Sequence, residues 1–249
     1  MLARANSRDV IHAVKARMEE IERDLPPGVT IEFVRDGGAR VRRSVKNVKE
    51  TLFEGAVLTV LVVLEQLRAG RITMETRFRV SEYAWREHGA MSSGSHMFLP
   101  INSEVAVRDL IQGAVIVSAN DACVVMAEGI AGSEQAFVAM MNRRARELGL
   151  TTAHFTNATG VDDPEQRISS ADLARLTRHI ITTYPEFYPV YSRRQFTFNN
   201  HTQMNRNPLL GAYPGADGVK TGHTDDSGYG LVGSAVQDGE RRIIVFNGL

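Results

Sequence analysis

Residues 117–142 read VSANDACVVMAEGIAGSEQAFVAMMN, and the spacing of their apolar positions predicts two consecutive helices, over 121–129 and 134–148. Gly149 stands where a C-cap would close the second. Upstream, a helix is expected from about Val107, with Leu110, Ile111, Ala114 and Val115 on one side, running into Ser118-Ala119-Asn120. Downstream come a loop over 157–163 and a helix over 170–182 capped by Ser169 or Ser170. The texture then changes. Phe196 and Phe198 alternate in a strand over 194–199, and 218–220, 230–236 and 241–246 are strand-like, the last two joined by an Asp238-Gly239 hairpin turn. Helices grouped before strands, rather than alternating with them, predict an α+β fold: an antiparallel sheet flanked by helices, with a helical lobe carrying Ser118.

Toward the N-terminus, Ser7 can cap a helix whose apolar stripe is Val10, Ile11, Val14, Met18, Ile21 and Leu25, stopped by Pro26-Pro27-Gly28. Residues 29–34 are rich in β-formers, and Asp36-Gly37-Gly38 either closes a hairpin onto 40–43 or leads directly into a helix; both remain open. From Val41, the positions Val45, Val48 and Leu52 have helical spacing, and the pattern then turns apolar on every side until Glu65. A helix over 52–67 with that pattern needs cover all round. Its longest apolar run, 56–64, is interrupted only by Thr59 and falls far short of the roughly 20 residues that span a bilayer. A strand over 77–80 and a glycine- and serine-rich loop over 89–95 follow. The first nine residues hold no apolar signal segment, so the chain as written is expected in the cytoplasm.

Composition excludes several functions. Lys plus Arg and Asp plus Glu both total 29, leaving no net field to hold a polyanion, so no nucleic-acid partner is expected. The single cysteine, Cys123, rules out an intramolecular disulfide or a multi-thiolate metal site, and its place on an apolar helix marks it as a small buried residue. None of the seven histidines pairs at ligand spacing, so no metal and no cofactor are expected; His12 and His179 read as surface or packing residues on helices. The pairs Asp162-Asp163 and Asp225-Asp226 read as turn formers, and Trp85 and the tyrosines form no stacking array. Arg42, Arg43, Lys46 and Lys49 form a solvated helix face that, beside an apolar run, could touch a membrane.

Two short motifs carry chemistry. Lys220-Thr221-Gly222 sets an ammonium and a hydroxyl beside a glycine that lets a ligand backbone come close, a combination suited to a peptide carboxylate. Ser118-x-Asn120 places a hydroxyl and an amide at a corner between helices, 102 residues before the lysine. Singly, each is commonplace. Together, and in this order, they are two of the three elements that mark penicillin-binding proteins and class A β-lactamases, Ser-x-x-Lys being the third.

From Glu65 to Leu249 the chain resembles the D-alanyl-D-alanine carboxypeptidases, low-molecular-mass penicillin-binding proteins of the serine peptidase type. Besides residues 117–142, the likeness rests on LEQLRAGRI, GSHMFL, LGLTTAHFTNATG, NRNPLL and DGVKTGHTDDSGYGLVGSA. It implies a β-lactamase/transpeptidase-like fold, a place in the periplasm or cell envelope, and peptidoglycan stem peptides and β-lactams as partners. By resemblance, Ser118 relays a proton to the leaving amine, Asn120 holds the substrate amide, Lys220 and Thr221 hold the carboxylate beside Gly222, and the His223 N–H supplies half of an oxyanion hole. Ser-x-x-Lys is absent from the chain: counting back from Glu65 puts Phe53 at the serine position and Ala56 at the lysine position. With nucleophile and base both missing, hydrolysis is expected at background rate.

Residues 2–63 resemble instead a resistance-nodulation-division efflux permease, through VIHAVKARMEEIERDLPPGVTIEFVRDGG and SVKNVKETLFEGAVLTVLVV, where a periplasmic segment would enter a membrane helix. The expected organisation is therefore a permease-like fragment over 1–63 joined to a carboxypeptidase-like domain over 64–249, each cut short relative to its family. A silent binding module and a membrane-associated permease fragment stand as alternatives to an impaired enzyme.

Overall fold

The computed structural model describes residues 55–224 and 228–247. The expectations for the helix from Ser7, the 29–34 strand, the turn after it, Phe53 and the Asp225-Asp226 pair lie outside these residues.

Helix α1, Gly55–Arg68, runs through the core of the described residues. From Gly55 to Leu64 every residue is buried, as an all-round apolar sequence requires. Thr59, fully buried within this run, donates its hydroxyl to the Ala158 carbonyl at 2.8 Å, which ties the helix to the 157–162 loop. Four helices pack against it: α3 (Val107–Ile116), α4 (Asn120–Ala131), α5 (Glu134–Glu147) and α6 (Ser170–Thr183). Ser133 caps α5 by accepting from the Ala136 N–H, and Gly149 at φ 69° turns the chain away after it. Helix α6, Ser170–Thr183, is capped by Ser169 as expected and packs on both α1 and the last strand.

The principal sheet is three-stranded and antiparallel, in the order β5 (Ala216–Thr224), β6 (Gly228–Gln237), β7 (Glu240–Phe246). The β6–β7 connection is the Asp238-Gly239 turn, both residues at positive φ. Lys220 pairs with Val232 and Thr221 with Leu231, which puts the Lys-Thr-Gly segment on an edge strand. With six α-helices and antiparallel sheets among the described residues, the class is α+β.

Several short elements escaped the sequence pattern. Helix α2, Glu82–His88, capped by Ser81, buries little more than Ala84 and so shows no apolar stripe. Strand β1 (Arg77–Arg79) pairs with a three-residue β2 (Glu104–Ala106) too short for visible alternation. Strand β3 (Gln195–Phe198) forms a hairpin with β4 (His201–Met204) through Asn199-Asn200, both at positive φ; the polar sequence His-Thr-Gln-Met concealed the second strand. A 3-10 turn over Tyr188–Ser192 buries Tyr188 and Tyr191.

Candidate functional site

Between α3 and α4 the chain has only Val117, Ser118 and Ala119 in which to turn. Val117 and Ala119 are fully buried, and their N–H groups both donate to the Gly113 carbonyl, at 3.2 and 3.0 Å. Ser118, pinned between these anchors, adopts φ 61°, a left-handed conformation costly for a residue with a β-carbon, and projects its hydroxyl into a cavity of about 660 Å³. There it accepts a hydrogen bond from Lys220 Nζ at 2.6 Å; the same ammonium donates to the Thr221 carbonyl at 2.6 Å. Lys220 is only 7% exposed. Chain segments distant in sequence thus meet at hydrogen-bond distance.

Asn120 and Thr221, Gly222 and His223 line the same cavity. The Asn120 backbone N–H donates to the Ser95 carbonyl at 2.8 Å, and its side chain lies across Gly94, where an added Cβ would meet Nδ2 at 2.8 Å. The next residue, Asp121, is fully buried and accepts from the N–H groups of Met97 and Ala122 at 3.1 and 2.9 Å, with Leu99 at 3.4 Å. Burial pushes its carboxyl up to about 6 despite these donors. Asp121 thereby fastens the 94–99 loop to the start of α4.

Ala56 lines the cavity as well. Its methyl offers no proton acceptor, and Gly55 beside it lets the end of α1 come so near the 157–160 loop that a Cβ there would lie 2.6 Å from the Gly160 nitrogen. The loop itself is held by two amides. Asn157 Oδ1 accepts from the Thr159 and Gly160 N–H groups, and Gln166, 3% exposed, accepts from Thr156 and Asn157 N–H while donating to the Val161 carbonyl.

Sequence reasoning missed part of the wall: Ser93, Ser95, Arg206, Asp162 and Tyr229 also line the cavity. Arg206 Nη1 donates to Ser95 Oγ at 2.5 Å, joining two stretches that carried the family likeness without being read as pocket walls. Their signal was polar heads beside buried anchors, Ser95 before Met97 and Arg206 before Asn207. Asp162, expected only to form a turn, faces the cavity, while its neighbour Asp163 does cap a turn by accepting from the Glu165 N–H. Cys123 is buried, which pushes its thiol up to about 12, and among the described residues no three His, Cys, Asp or Glu side chains gather as metal ligands.

The family model for D-alanyl-D-alanine carboxypeptidase matches residues 55–248. The chain belongs to that family. The match takes in all of α1, ten residues before the expected start at Glu65. The carboxypeptidase DacD of Escherichia coli is 44% identical over 190 residues, covering 76% of this chain and 49% of the relative, and DacA of Haemophilus influenzae is 41% identical over 76% of this chain and 48% of the relative. The chain spans about half the length of these relatives. Penicillin binding protein 6B from Escherichia coli superposes with a TM-score of 0.75 at 40% identity, over 80% of this chain and 65% of that one. Penicillin-Binding Protein D2 from Listeria monocytogenes, solved in an ampicillin-bound form, superposes with a TM-score of 0.66 at 26% identity, over 80% of this chain and 79% of that one. A second family model, AcrB/AcrD/AcrF, matches residues 1–80 and overlaps the carboxypeptidase match over 55–80. No helix among the described residues is long and apolar enough to cross a membrane.

Proposed function

We propose that this member of the carboxypeptidase family binds the carboxylate-bearing end of a peptidoglycan stem peptide, or a β-lactam, without hydrolysing D-Ala-D-Ala. The observation that carries the reading is the make-up of the cavity: Ser118 and Lys220 are joined at 2.6 Å, and Ala56 lines the same cavity at the position that the family likeness gives to the base. Lys220 and Thr221 hold the ligand carboxylate, Asn120 its amide and the His223 N–H a carbonyl oxygen, while no activated hydroxyl occupies the primary nucleophile position. Its membership of the family supports a place at the cell envelope. The ampicillin bound by the Listeria relative supports β-lactams as ligands.

Two measurements on the purified chain test this. Fluorescent penicillin should leave no gel-stable band at concentrations that label an active relative, and a D-Ala-D-Ala peptide should bind reversibly in calorimetry. D-alanine release abolished by Lys220→Ala would overturn the reading.

A second reading rests on the AcrB/AcrD/AcrF match to residues 1–80: the N-terminal part, about 1–63, derives from a permease and holds the chain at a membrane. Flotation with lipid vesicles tests it, and sequencing the source DNA over codons 50–70 tests the join.

A further inference from the structure

We infer that Ser118 and Lys220 form a nucleophile and base of their own, able to take an acyl group from a small activated ester. The inference rests on the reading above, in which the primary nucleophile is absent and Ser118 is released from the relay role that the family gives it. Three observations carry it. The hydroxyl and the amine are 2.6 Å apart, within reach for proton transfer. Ser118 is held at φ 61° on a three-residue turn between two helices, with buried anchors on each side and its oxygen facing a cavity, an arrangement akin to the strained turns that present catalytic serines. Asn120, two residues on, lines the same cavity and carries an amide able to donate to a developing oxyanion.

The step balances without a co-reactant. Neutral Lys220 takes the Ser118 hydroxyl proton as Oγ bonds to the ester carbonyl carbon. The carbon–oxygen bond to the leaving group then breaks, and the departing phenolate recovers the proton from the Lys220 ammonium, leaving acyl-Ser118 and a free phenol. A phenolate leaves unaided, whereas an amide nitrogen must be protonated first; with Ser118 now acting as the nucleophile, no separate relay remains for that proton. Esters, not stem-peptide amides, are therefore the substrate class.

The test incubates the full chain with p-nitrophenyl acetate and quantifies acetylation peptide by peptide by mass spectrometry. Ser192, exposed and with its hydroxyl donating to the Pro189 carbonyl at 2.9 Å, serves as the internal reference. Ser118 should be acetylated roughly 10²-fold faster than Ser192, and faster at pH 9 than at pH 7 because the base must be neutral. Lys220→Arg keeps the positive charge but cannot accept the proton, and should bring Ser118 down to the rate of Ser192. Ser118→Gly suits the left-handed turn, so it should fold while losing the modification at 118. Acetylation of Ser118 at the Ser192 rate, or undiminished in Lys220→Arg, overturns the inference. Calorimetry with a D-Ala-D-Ala peptide on the same preparation separates the two readings. Peptide binding without Ser118 acetylation sinks the inference alone, and acetylation without peptide binding sinks the binding reading alone.

Discussion

The two sides of the cavity have fared differently. One holds two hydrogen-bonded pairs, Lys220 with Ser118 at 2.6 Å and Arg206 with Ser95 at 2.5 Å, beside buried Asp121, which fastens the 94–99 loop to the start of α4. The other is the end of α1, where Gly55 and Ala56 supply close backbone packing and a methyl group but no titratable atom. The contrast teaches that recognition and reaction are stored separately in this fold. On the proposed reading, recognition is distributed over the α3–α4 turn, the 94–99 loop and an edge strand, each held by its own contacts. On the same reading, reaction would depend on two side chains of one helical turn, and at the second of them Ala56 sits buried in α1 and lines the cavity.

The largest test of that contrast rebuilds the deficient side. Phe53→Ser together with Ala56→Lys should convert an unlabelled chain into one that forms a gel-stable adduct with fluorescent penicillin, while either change alone should leave it unlabelled, since nucleophile and base act as a unit. A double variant that still fails to label would show that the polar side is not arranged for the reaction. Next in size is a loss from the intact side. Lys220→Ala removes a charged partner of the ligand carboxylate and should weaken binding of a D-Ala-D-Ala peptide by roughly 10–100-fold in calorimetry; unchanged affinity would mean that the carboxylate is held elsewhere.

The brace behind the polar side has a pH signature. Burial pushes the Asp121 carboxyl from its ordinary 3.8 up to about 6, so the folded state binds the proton more tightly and stability falls as pH rises across that interval. The contribution is on the order of 3 kcal/mol, fully present below about pH 4 and gone above about pH 6. Asp121→Asn should flatten this part of the stability–pH curve in urea titrations, and a curve identical to that of the unaltered chain would separate Asp121 from it. Smallest is a link within the α1 side, between the helix and the 157–162 loop. Thr59→Val removes the hydroxyl that reaches the Ala158 carbonyl and should cost about 1 kcal/mol without altering peptide affinity; a tenfold loss of affinity would show that α1 positions the ligand wall after all.

How much of this was legible in the sequence follows from where the physics is local. The amphipathic helices, the Ser169 cap, the Gly149 terminus and the Asp238-Gly239 hairpin were readable because each is set by residues within one or two turns. Lys220 and Ser118 were readable as a pair only through the family likeness, since no local rule brings together residues 102 positions apart. Arg206 and Asp162 remained hidden for the same reason: their roles arise from a cavity assembled by seven separate segments. Strand β4 and helix α2 stayed invisible because they are short and mostly exposed, so burial leaves little pattern on them.

Cys123 gives the molecule a built-in reporter. It is the chain's lone thiol, 1% exposed on the helix that begins two residues after Ser118, and buried away from any reagent in solution. Alkylation can therefore proceed only through excursions that lift α4 off its neighbours. The trapping rate, compared with that of an unfolded peptide, measures how often the wall of the cavity breathes open, with no label added to the protein.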